Sequence, residues 1–92
     1  MSAPAELEAL LAAAHAADIA ESDAYAASIR ARVEKGSTYQ PERWTDEAHK
    51  KHIAAIDAHE VAKVAKHEAW GRVRQWLDRW DTVMLHEAQG RK

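Results

Sequence analysis

Only one stretch in this chain has to interrupt a helix. Residues 36–41, GSTYQP, combine a glycine, a proline and small hydroxylated side chains, a composition found nowhere else in the sequence. Apart from Pro4 and Gly90 near the ends, Gly71 is the one remaining helix-weakening residue among 92. Alanine, the strongest helix former, occupies 21 positions. One short loop between two long helical stretches implies an all-α antiparallel hairpin. The expected layout is a single domain over 1–92, with helix one at about 4–35, the loop at 36–41 and helix two at about 42–88. Pro4 suits a first helical turn, Gly36 a left-handed C-terminal cap, and Pro41 or Thr45 the start of the second helix.

The two helices are unequal. Helix one spans about 48 Å and helix two about 66–72 Å at 1.5 Å per residue. Folded back at the loop, helix one ends opposite residue 75 or so, and the remainder of helix two projects beyond it. That projection is apolar on one side. Trp70, Val73, Trp76, Leu77, Trp80, Val83 and Met84 fall on one arc, with Arg72, Gln75, Arg79 and Thr82 on the other. The chain has four tryptophans and no phenylalanine, and three of the four indoles lie in this arc. Leaving them in water forgoes several kcal/mol at about 25 cal/mol per Å². The expectation is therefore a protein–protein interface built from those seven residues. The hairpin would self-associate as a dimer or small ring, with another protein as a further partner. The alternative is a three-helix monomer broken at Gly71, with residues 72–88 folded back.

Two further patterns bear on association. Ala55, Ala58, Ala62, Ala65 and Ala69 recur at 3-4 spacing, which reads as a seam of small residues, while Ile53, Ile56, Val61 and Val64 lie roughly opposite. In helix one, Leu7, Leu10, Leu11, Ile19, Tyr25, Ile29 and Val33 share an arc with His15, Asp18 and Ser22. If facing residue numbers add to about 79, His15 and Asp18 come near His59 and Lys63 as a buried polar contact that fixes register. His49 and His52 are expected on a solvated helix start.

Chemistry is constrained mostly by exclusion. With no cysteine, disulfides, thiolate metal sites and thiol catalysis are ruled out. The His-Glu pairs at 59–60, 67–68 and 86–87 lack the second histidine of HExxH, since Lys63, Gly71 and Gly90 stand there. No histidine follows a glutamate by three, the spacing that builds carboxylate–histidine metal sites in helical bundles. Neither a metal nor a cofactor is expected. Ser22, Ser28 and Ser37 have no base and orienting group in the sequence pattern, so the chain reads as non-enzymatic.

The formal charge is −2, unlike a dedicated nucleic-acid binder. Arg72, Arg74 and Arg79 are nonetheless candidate ligand residues for a nucleic acid or a phosphorylated small molecule, the alternative function. No apolar run reaches the ~20 residues of a membrane span, and the start MSAPAELEALL lacks a basic leader region. A cytoplasmic protein without a membrane partner is expected. The length, hairpin layout and Trp44 after the loop resemble the small WXG-type helical hairpins, but Asp46 stands where that family has its glycine. Short, acidic, motif-free helical chains are also typical of phage-encoded accessory or anti-defence proteins. The functional expectation is an adaptor or inhibitor acting by protein contact, an argument by fold-level analogy.

Overall fold

Gly36 ends the first helix in the way its missing Cβ allows. Its φ is +102°, in the left-handed region, and its amide donates back to the Arg32 carbonyl at 3.1 Å. The computed structural model describes residues 2–36 and 40–90, and the side chains of 5–36, 40–87 and 90. Helix α1 runs Ser2–Lys35. A single 3₁₀ turn, Pro41–Arg43, follows. Helix α2 runs Asp46–Gly90.

The second helix starts later than about 42 because Trp44 is extended (φ −73°, ψ 135°), which separates the proline turn from α2. Thr45 then caps it: the Ala48 amide donates to Thr45 Oγ1 at 3.1 Å, and Asp46 and Glu47 lie at the positive end of the helix dipole. Thr45→Ala should cost about 1 kcal/mol in urea unfolding, whereas Thr45→Ser should be nearly neutral. Equal losses in both would remove the cap from the account.

Helix α2 continues unbroken through Gly71, so the architecture is the two-helix hairpin and not the three-helix form. A Cβ built on Gly71 meets nothing within 4 Å. Gly71→Ala should therefore stabilise the chain by about 0.5–1 kcal/mol, through backbone entropy alone. A lowered melting temperature would show that something outside the hairpin needs that gap.

The helices meet along one seam of strict 3-4 spacing. From α1 it takes Leu7, Leu10, Ala14, Ala17, Glu21, Ala24, Ser28, Ala31 and Lys35. From α2 it takes His52, Ala55, His59, Ala62, Lys66, Ala69, Val73 and Trp76. All of these are buried or half-buried, as the facing positions of an antiparallel coiled coil require. The alanine seam expected from sequence is thus half right. Ala55, Ala62 and Ala69 face α1, whereas Ala58 and Ala65 are exposed, because the heptad alternates alanine with His52, His59 and Lys66.

So narrow a seam buries little. Among the described residues the buried apolar side chains are Ala14, Ala31, Ala69, Val73 and Trp76. The one apolar cluster forms where Ala14, Ala69 and Val73 pack with Leu7, Leu10, Leu11, Ala17 and Trp70. The molecule is a two-helix slab of 75 × 21 × 13 Å. Its radius of gyration is 21.0 Å, against about 12 Å for a globular chain of this length. No helix among the described residues is long and apolar enough to cross a membrane.

Candidate interaction surface

Large side chains at the open end set the register. The Trp76 indole donates to Glu6 at 3.0 Å and the Trp70 indole to Asp18 at 2.9 Å. His15 meets the Trp70 ring edge-on at 5.6 Å, and Lys66 lies 3.6 Å from Asp18. Each buried N–H thereby finds the acceptor it needs. This shifts the pairing by about a turn from the expected register and corrects the polar contact. Asp18 meets Trp70 and Lys66 instead of His59 and Lys63. His59 pairs with Glu21 at 3.0 Å and packs on Tyr25. His15 and Lys63 are exposed, and Lys63 reaches only Glu60, three residues back on its own helix, at 3.2 Å.

The same shift moves the overhang. Trp70, Val73 and Trp76, expected in a protein–protein interface and the last of them in the projecting arm, pack on α1, and Trp76 is only 8% exposed. The seam continues past Trp76, where the described side chains of α1 end at Ala5. Its next positions, Trp80 and Val83, are exposed, as are Leu77, Met84 and Leu85, the last at 59%. Trp80 stacks on Trp76 at 5.4 Å with the rings 10° apart, leaving its outer face open at 37% exposure. With Glu6 and Arg79, these indoles and Val83 border an open cleft of about 260 Å³.

The two broad faces of the slab differ. Along one side of the seam lie Tyr25, Ile53, Ile56, Trp70, Leu77 and Met84; along the other, Ala13, Ala20, Ala27, Ala58 and Ala65, with the Lys51–Glu34 ion pair at 2.9 Å. That pair lowers the Glu34 pKa and raises that of Lys51, in both cases chiefly through their mutual hydrogen bond. Arg72, Arg74 and Arg79 are all exposed, but they do not form one patch. Arg72 and Arg79, seven apart, share the alanine side, and Arg74 points to the other. Among the described residues no group of three or more histidine or carboxylate side chains is placed to hold a metal ion.

Sequence reasoning missed the cluster at the closed end. His52 is buried and His49 half-buried, not solvated. The Lys35 ammonium sits 3.9 Å above the Trp44 ring, and His49 stacks against that same indole at 5.3 Å. The Nδ1 atoms of His49 and His52 are buried without a hydrogen-bond partner. Burial, and then the nearby Lys35, His49 and Arg32, push the His52 pKa below its ordinary 6.5. The signal was present: His52 continues the 3-4 spacing of Ala55, Ala62 and Ala69, as the position before Ala55 in the same seam.

No protein-family model matches the chain, and neither a curated protein nor a solved structure matches it at a significant level. The functional reading rests on the geometry alone.

Proposed function

We propose that the chain is a non-enzymatic interaction protein, an adaptor or inhibitor that works by docking the projecting end of α2 on another polypeptide in the cytoplasm. One observation carries the reading: past Trp76 the apolar seam continues through Trp80 and Val83, both exposed, flanked by exposed Leu77, Met84 and Leu85. Contiguous apolar surface of this kind, rimmed by Arg79, Asp78 and Asp81, is characteristic of protein docking sites. The polyanion alternative loses support from the division of the arginines between two sides, since a phosphate backbone needs its cations along one track.

A photo-crosslinking residue at Met84, introduced in the native host, tests this. The expected adduct is a protein, and Leu85→Asp should abolish it. In parallel, a fluorescent oligonucleotide should show no binding at low salt. Binding that appears at low salt and falls steeply as salt rises would replace this reading with the nucleic-acid one.

A further inference from the structure

The projecting arm is too short to account for the apolar surface left open. It extends beyond α1 by only about 15 Å, whereas exposed aliphatic and aromatic side chains run the length of the slab, from Tyr25 and Ile53 to Leu85. The accessible surface is 7174 Å², against about 5,400 Å² for a globular chain of 10.3 kDa. The excess is about 1,800 Å² per chain. Two chains covering that much of each other would bury about 3,600 Å², within the range of obligate homodimers.

The larger-residue face is arranged for self-pairing. It carries two apolar groups, Ile53 and Ile56 beside Tyr25 near the turn, and Leu77 and Met84 beyond Trp70 near the open end. Between them lies a charged middle of Glu60, Lys63, His67 and Arg74. Along α2, Ile56 and Leu77 stand about 17 and 15 Å on either side of His67, and Ile53 and Met84 about 21 and 26 Å. Glu60 and Arg74 stand one heptad on either side of the same residue, both exposed. A shallow groove of about 370 Å³, bordered by Trp70, His67, Lys63, Lys66 and Glu21, marks the centre.

We propose that this face is covered by a second copy of the chain, stacked antiparallel about a two-fold axis near His67. This deepens the interaction-protein reading, on which it rests, by naming one partner. The axis lays Leu77 and Met84 of each copy over the Ile53–Ile56 region of the other. It sets each Glu60 against Arg74 of the second copy, so that opposite charges meet twice and register is specified. The arm that outreaches its own α1 lies across the turn half of its neighbour, and the product is a four-helix bundle over the central overlap.

Sedimentation of the full chain between about 1 and 200 µM should give twice the 10.3 kDa mass. Ile56→Asp should yield a monomer with unchanged helical circular dichroism, because Ile56 is exposed and outside the seam. Glu60→Arg and Arg74→Glu should each weaken dimerisation about ten-fold, and the double variant should recover to within about three-fold of the parent. A wild-type monomer at 200 µM overturns the proposal. So does a dimer indifferent to Ile56→Asp and to both charge reversals but dissociated by Leu85→Asp. In either case an intact Met84 crosslink to a different protein would leave the docking function standing.

Discussion

Trp76→Ala should unfold much of the hairpin's open end, whereas Trp80→Ala, four residues on, should leave it folded. Trp76 closes the seam against α1 and is almost completely buried, with its N–H held by Glu6. Truncating it removes the indole from a core with few large side chains and leaves the Glu6 carboxylate without its donor. Such substitutions cost about 3–5 kcal/mol, a large share of what a domain of this size possesses. Trp80 is the next position of the seam but is exposed, at 37%. Its loss removes a stacked ring pair and little else from the hairpin, about 1 kcal/mol. Urea unfolding at low protein concentration, followed by helical circular dichroism, separates the two. Equal losses would mean that the seam extends further than the contacts indicate, and that Trp80 belongs to the fold and not to the docking surface.

That contrast also shows what was legible beforehand. Features written in consecutive residues were readable: the GSTYQP break, the Gly36 cap, the Thr45 cap, the apolar arc after Trp70. Each follows from backbone preference or from periodicity within one helix. What depended on two helices meeting was not. Alanines at 55, 58, 62, 65 and 69 fit two adjacent heptad phases equally well. Only the large residues at one end, Leu7 and Leu10 against Val73 and Trp76, decide which phase faces inward. The indoles also need acceptors, and Glu6 and Asp18 supply them only at the observed register. That requirement moved Asp18 away from His59 and drew Trp76 back from the arm into the core. The polar seam positions were obscured for a related reason. His52, Glu21 and Lys66 look like surface residues by type, and in a seam lined mostly with alanine such residues occupy inward positions because little apolar bulk competes for them.

Acid should weaken the hairpin from its closed end. His52 is held there with its Nδ1 unpartnered, facing Lys35 and Arg32 from α1 and His49 from its own helix. Burial and those neighbours lower its pKa below 6.5, so the unfolded chain takes up a proton on this residue more readily than the folded one. The sign of the pH dependence follows by linkage: stability from this site is fully present above pH 6.5, falls as pH drops through the window below it, and levels off under the folded-state pKa. Protonation would place another cation beside the Lys35 ammonium, which already rests on Trp44 in contact with His49. The first turns of α2 should therefore loosen before the tryptophan-anchored open end, with earlier amide exchange around Ala48–His52 at pH 5 than at pH 7.5. His52→Leu keeps the seam position filled, removes the titrating group, and should both raise the melting temperature at pH 5 and flatten its dependence on pH. A variant that retains the full acid sensitivity would show that the effect arises elsewhere. Burial of His52 would then contribute to packing alone, and the closed end would have no greater part in acid response than the rest of the seam.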